Sequence, residues 1–348
     1  MIDILHADAA VVDACRKAKQ ACTTWAQTAP QQRADTLSRA ANLVEANASE
    51  LAELNTRETH KLLADSQNGV SAGIATLRQF AELGPLHQGQ RLRGEVRSVD
   101  FSIPQPHGVV AVLTPWNDPV AIACGLLGAA LVSGNTVVYK PSERCPAVGK
   151  QLGDLLTEVF PPGVFTTVTG PGSTGAEIIV QGEIDMVAHV GSTASGARIA
   201  RAGALTGAHT ILENGGNDPL IIDDDVDVGW AAEQAALGCF ANAGQICTSV
   251  ERIFVHQRIA KEFTHALCGE ASRRETEGKF GPLVDQMQRN EVHHQVVESL
   301  NRGARLVLGG KIPSGDQPVE SFYPATVVTN VESGMPWQSC RMTMKLKS

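Results

Sequence analysis

The sequence predicts an α/β protein built around a parallel sheet, and three observations carry that prediction. From Val109 onward, short β-branched runs alternate with helical segments across short loops, the rhythm of strand–helix–strand units. Several runs are apolar throughout, as in Val109-Val-Ala-Val-Leu113 and Thr136-Val-Val-Tyr139, which suits strands covered on both faces. The first 83 residues instead carry apolar positions at helical spacing, so a helical stretch precedes the sheet.

Taken in order, helices are expected over residues 7–83. Leu37, Ala40, Leu43 and Val44, then Leu51 and Leu54, make the apolar stripes, and Gly84-Pro85 ends the run. The stretch 94–104 alternates and closes on Pro104-Gln-Pro-His-Gly108. It reads as an edge strand or exposed hairpin arm, because proline cannot serve a central ladder. Strands follow at 109–113, 136–139, 165–169 and 186–190, with helices at 121–132, 146–159 and 175–180 between them. Such sheets bind ligands at the carboxyl ends of their strands. A second unit opens near Glu213, with strand 220–223, helix 228–239, strand 252–255, helix 259–267 and strand-like stretches 304–310 and 325–330. There is no internal repeat and no low-complexity linker.

Bulk properties narrow the function. A chain of 348 residues suits two domains, at roughly 150 residues each. Hydrophobic residues at 43% and charged ones at 19% argue against disorder. A net charge of -8 with scattered basic residues gives no footprint for nucleic acid. No apolar run approaches the ~20 residues that span a bilayer, and residues 1–10 carry no secretory pattern, so no membrane partner is expected. The eight cysteines form no CxxC pair, which points to a reducing cytoplasm rather than a disulfide scaffold.

The polar residues at strand ends are the candidates for chemistry. Cys247 follows Asn242-Ala-Gly-Gln245, a turn that brings backbone N–H groups near the sulfur and suits an activated thiol nucleophile, with a buried structural cysteine as the alternative. Cys239, eight residues earlier, lies inside an apolar helix and reads as packing, and the pair matches no zinc spacing. Glu213, between an apolar strand and a double glycine, is placed to act as a general base with its pKa raised by apolar neighbours, or is simply a solvated loop carboxylate. Asn117 ends a buried strand, where its amide can donate to a developing oxyanion or merely shape the turn before Asp118-Pro119. Lys140 and Glu143 suit ribose hydroxyls, with surface charge as the alternative. Gly191-Ser192 opens a helix whose N–H groups suit a phosphate. The dinucleotide fingerprint G-x-G-x-x-G is absent.

In combination these segments resemble the NAD(P)-dependent aldehyde dehydrogenase superfamily. The resemblance rests on Thr114-Pro-Trp-Asn117, Gly134-Asn-Thr-Val-Val-Tyr-Lys-Pro-Ser-Glu143, Pro161-Pro-Gly-Val164, Thr169-Gly170 and Val190-Gly-Ser-Thr193. It continues through Leu212-Glu-Asn-Gly-Gly216, Phe240-Ala-Asn-Ala-Gly-Gln-Ile-Cys247 and Gly281-Pro-Leu-Val284. The matches are collinear from about residue 20 to about residue 335. The resemblance implies a Rossmann-type parallel-sheet cofactor domain over 1–212, with 93–107 as an oligomerisation arm, and an α/β catalytic domain over 213–336. It implies Cys247 as the nucleophile, Asn117 with the Cys247 N–H as oxyanion donors, and Glu213 as the base that activates water. Lys140 and Glu143 would bind the adenosine ribose and Ser192 a phosphate oxygen. Trp116 would line the pocket, and Ser142 and Gly191 fall on the same cofactor side. The implied cofactor is NAD, with NADP possible and Glu143 leaning toward NAD. The substrate is an aldehyde, the product a free acid, and the assembly a homodimer or homotetramer.

Three departures stand out. Asn214 replaces an apolar residue in the glutamate motif, and Asp118 stands where the family often has an apolar side chain. After Val331-Glu-Ser-Gly-Met-Pro336 the segment 337–348 leaves the family pattern, so the family's C-terminal part is expected to be missing. A frameshift near Met335-Pro336 would account for the tail, and the N-terminus also reads as short. Impaired turnover is the expectation. An inactive remnant or interaction protein of the same fold is the alternative, and a cysteine hydrolase working without NAD ranks last.

Overall fold

The computed structural model describes residues 8–181, 183–313, 320–332, 334–335 and, as backbone, 344–347. The chain divides into two compact units, Met1–Glu58 with Ser66–Asn214 and Thr59–Asp65 with Gly215–Ser348. Glu213 thus belongs to the first unit, and the short stretch 59–65 to the second, whereas the sequence reading opened the second unit at Glu213 and left 59–65 in the first.

The first unit begins with helices α1 (Ala9–Gln27), α2 (Pro30–Ala46), α3 (Ala48–Thr59) and α4 (Leu63–Leu83). Strands β1 (Arg91–Leu92) and β2 (Asp100–Phe101) pair antiparallel in a small exposed hairpin, the form expected of the arm. Then come β3 (Val109–Leu113), α5 (Pro119–Val132), β4 (Thr136–Lys140), α6 (Pro146–Val159), β5 (Phe165–Thr167), α7 (Gly172–Val180), β6 (Met186–Val190), α8 (Thr193–Thr206) and β7 (His209–Glu213). The five strands β3–β7 are all parallel, in the order β5-β4-β3-β6-β7.

Alternation along each strand divides the side chains between two faces. Val110, Val112, Val137 and Tyr139 pack with α2, α4, α5 and α6. Val109, Ala111, Leu113, Val138 and Val187 pack with α1, α7 and α8. Helix α5 is apolar on nearly every side, which suits a helix enclosed by others. The carbonyls at its carboxyl end are met by buried donors: Trp25 Nε1–H donates to Leu131 O at 3.0 Å, and Arg33 Nε–H to Val132 O at 2.9 Å. The amino end of α6 is closed from a distance. Its N-cap, Cys145, makes no side-chain bond, and the Glu58 carboxylate accepts from Ala147 N at 2.8 Å and Val148 N at 2.9 Å.

The second unit contains β8 (Asp218–Ile222), α9 (Val228–Phe240), β9 (Val250–Val255), α10 (Ala260–Thr276), α11 (Gln286–Asn301), β10 (Arg305–Leu308), β11 (Val327–Thr329) and β12 (Met344–Lys347). Its sheet runs β10-β11-β12-β9-β8, with only the β10–β11 pair antiparallel. Two elements depart from expectation. Helix α11 is mostly polar and buries only Val292, Val296 and Ser299, too thin a stripe to announce itself. Residues 344–347, expected to be an off-pattern tail, form a strand between β11 and β9, because backbone groups alone complete a ladder. The proposed frameshift point at Pro336 and the residues just after it lie outside the described residues. No helix among the described residues is long and apolar enough to cross a membrane.

Replacing Glu58 by Ala removes the carboxylate that accepts from the first turn of α6. The expected loss is about 1–2 kcal/mol, read by urea unfolding of the variant against the parent chain.

Candidate active site

The sequence-predicted residues fall on both units. In the first unit they sit at the carboxyl ends of parallel strands. β3 ends at Leu113, and the turn after it carries Trp116 and Asn117, both half-buried, before Pro119 starts α5. Asp118 is also half-buried, and it needs Gly69 of α4 opposite: a Cβ on Gly69 would lie 2.3 Å from Asp118 Oδ1.

β4 ends at Lys140, whose side chain is buried. Its ammonium donates to Pro141 O at 3.1 Å and to Glu143 Oε2 at 3.0 Å. The two residues expected to share a ribose are therefore bonded to each other. Burial pushes the Glu143 carboxyl up, but its own backbone N–H and the Lys140 ammonium outweigh this and hold it below the usual carboxylate range. Ser142 is buried, and its hydroxyl accepts from Arg144 N at 3.2 Å, so it shapes this loop from within. Arg144 lies over the Trp116 ring, 5.5 Å from its centroid. Nothing in the local pattern of Glu143-Arg-Cys145 announces that contact.

β6 leads through Gly191 to Ser192, the N-cap of α8, whose hydroxyl accepts from Ser195 N at 3.1 Å. His189, buried at the end of β6, lies 3.2 Å from Leu113 O through Nδ1, which makes Nδ1 the protonated nitrogen. Burial lowers its pKa. Glu213 ends β7 beside Val190 in register, and Gly191 N donates to its carbonyl at 3.0 Å. Glu213 is exposed, because β7 is the edge strand of its sheet, so the apolar enclosure expected around its carboxylate is not formed by the described residues. An ammonium donor with a carboxylate acceptor at one strand end, and a helix N-terminus at another, make a polar set that fits a dinucleotide's ribose and phosphate.

In the second unit α9 buries Cys239 and gives way at Ala241 to a tight turn. Asn242 (φ 49°, ψ 38°) and Ala243 (φ 53°, ψ 33°) are both left-handed, and Gly244 follows at φ 74°. Cys247 stands three residues later, half-buried, ahead of β9. Its carbonyl is approached closely by Gly216, where a Cβ would lie 2.9 Å from Cys247 O. Cys22 and Cys268 are half-buried like Cys247, and four other described cysteines are buried. Burial pushes the Cys15 thiol up to about 11 and Cys124 up to about 12, and raises Cys145 and Cys239 further.

The Lys140–Glu143 pair yields a pH prediction. Its folded carboxyl titrates below the unfolded value of about 4.3, so its stabilisation is complete above that pH and is lost as pH falls through the folded value. Glu143 is half exposed, which limits the contribution to about 0.5 kcal/mol. Glu143→Gln should be slightly less stable than the parent at pH 7 and indistinguishable from it in acid, as read by thermal melts across pH.

The Aldehyde dehydrogenase family pattern matches residues 3–339. A betaine aldehyde dehydrogenase from Cereibacter sphaeroides is 36% identical over 321 residues, covering 88% of this chain and 65% of the relative. Betaine aldehyde dehydrogenase 2 from Rhizobium meliloti is 34% identical over 336 residues, covering 92% and 68%. The chain thus spans about two thirds of the length of these relatives. Among solved structures, Staphylococcus aureus betaine aldehyde dehydrogenase in complex with NAD+ superposes with a TM-score of 0.92 at 28% identity, covering 97% of this chain and 70% of the other. 3,6-Anhydro-L-galactose dehydrogenase in complex with NAP gives a TM-score of 0.90 at 32% identity, covering 96% and 72%. By sequence and by fold, the chain belongs to the aldehyde dehydrogenase family.

Proposed function

We propose that this chain oxidises an aldehyde to a carboxylic acid, using Cys247 as the nucleophile and NAD or NADP as the oxidant. The observation that carries the reading is Cys247 itself, a half-buried thiol set just after a left-handed turn in the segment Phe240-Ala-Asn-Ala-Gly-Gln-Ile-Cys247. The Cys247 thiolate adds to the carbonyl carbon and forms a thiohemiacetal oxyanion. Asn117 and the Cys247 N–H donate to that oxygen. Lys140 and Glu143 hold the adenosine ribose, with Ser142 shaping their loop. Gly191 and Ser192 receive a phosphate at the α8 N-terminus, and Trp116 lines the pocket. NAD, when bound, supplies the hydride acceptor. The thioester left on Cys247 is hydrolysed by water that gives its proton to Glu213, and the acid leaves as the thiolate is restored.

A small aldehyde is the substrate, a reading supported by the relatives named for betaine aldehyde and by Asp118, which adds a polar element beside Asn117. The assembly is a homodimer or homotetramer formed through the β1–β2 arm. Val96, Val99, Phe101 and Ile103 on that arm are all well exposed, an apolar patch that a second copy would cover.

Acylation of Cys247 by p-nitrophenyl acetate, followed by mass spectrometry, tests the chemistry without requiring turnover with cofactor. One acetyl group on Cys247 is expected. Cys247→Ser should abolish the burst, Asn117→Ala should slow it on the order of 100-fold, and Glu213→Gln should leave the acyl-enzyme standing. Acetylation spread over other cysteines, with Cys247 unmodified, would refute the reading. For the arm, sedimentation of Phe101→Asp is expected to show monomer where the parent chain shows dimer or tetramer.

A further inference from the structure

We propose that Gln245 is the positioning residue for the Cys247 nucleophile, acting as a strut that holds the left-handed turn in place. The inference rests on the reading of Cys247 above and adds to it what keeps the thiol aimed.

Two successive non-glycine residues in the left-handed region are costly, about 1–2 kcal/mol each, and persist only where the surroundings hold them. Asn242 and Ala243 are such a pair, and Ala243 is buried. Gln245 bonds to the turn from both its backbone and its side chain. Gln245 donates twice to Asn242 O, through its backbone N–H at 3.0 Å and through Nε2 at 3.0 Å. Its Oε1 accepts from Val284 N at 2.9 Å. The side chain is only 5% exposed, so these bonds are shielded from competing water. The amide therefore ties the turn to the Gly281-Pro-Leu-Val284 segment of the same unit, two residues ahead of the sulfur. Past it, Ser249 N donates to Ile246 O at 3.1 Å and turns the chain into β9. Cys247 lies between a strut and a strand, and its N–H and thiol take their direction from both.

No other residue type of this size supplies the same pair. Methionine fills the volume but leaves the Val284 N–H unmet and the turn carbonyl with its backbone bond alone. Glutamate keeps an acceptor for Val284 but, when ionised, sets a carboxylate against Asn242 O. The two variants break the strut in different places.

The experiment measures two quantities on Gln245→Met and Gln245→Glu at pH 8. One is the first-order rate of Cys247 acylation at saturating p-nitrophenyl acetate. The other is the pH profile of Cys247 alkylation by iodoacetamide. Both variants, shown to be folded by circular dichroism, are expected to acylate on the order of 10-fold or more slowly. Their alkylation midpoints should shift from the parent's, because the turn that sets the surroundings of the thiol is no longer held. Gln245→Glu retains the Val284 bond, so it decides the matter if the methionine variant fails to fold. Folded variants with the parent rate and the parent pH profile would overturn the strut while leaving Cys247 as the nucleophile. A parent chain whose Cys247 resists acylation would overturn the reading beneath it.

Discussion

Parallel pairing of β3 with β4 on one side and β6 on the other sets the level at which the first unit's polar groups emerge. Leu113 lies opposite Lys140 and His189, and Val190 lies opposite Glu213. These registers cannot drift, because β3, β4 and β6 are buried along their whole length and a slip of one residue would exchange the two faces of the sheet. The loops bearing Trp116 and Asn117, Ser142 and Glu143, and Gly191 and Ser192 therefore leave one end of the sheet from neighbouring strands. Apolar side chains with no chemistry of their own hold the chemistry in place.

The second unit achieves positioning by another route. Cys239 and Cys247 are separated by one turn, yet one is sealed inside α9 and the other stands after a left-handed reversal. A strand end is rigid because two neighbours pair with it. The reversal has no ladder, and its geometry depends on hydrogen bonds from side chain to backbone, chiefly those of Gln245.

Much of this was legible in the sequence. The helices at the start and the strands from Val109 onward announce themselves by period, and α6 spans the residues its pattern predicts. The candidate positions were legible because polar residues interrupt apolar runs at strand ends. What could not be read is non-local. Whether β7 is central or at an edge depends on which strands pair beside it, and that decides the exposure of Glu213. The bonding of Lys140 to Glu143, the stacking of Arg144 on Trp116 and the reach of Gln245 to Val284 join side chains whose spacing carries no period. β12 was missed for a related reason: an alternating run of four residues is too short to stand out until β9 and β11 leave a place between them.

That place has a kinetic side. β12 joins β9 across about 90 intervening residues, and loop-closure entropy must be met before so distant a pairing returns anything. The β8–β9 pair, its residues some thirty apart, can form early on the order of local events. The two halves of the second sheet, β8–β9 and β10–β11, thus have every reason to assemble separately and to meet last, with β12 as the seam. Until that seam closes, β9 and β11 each present an unpaired edge, and in that interval the growing protein is most open to pairing with the wrong strand.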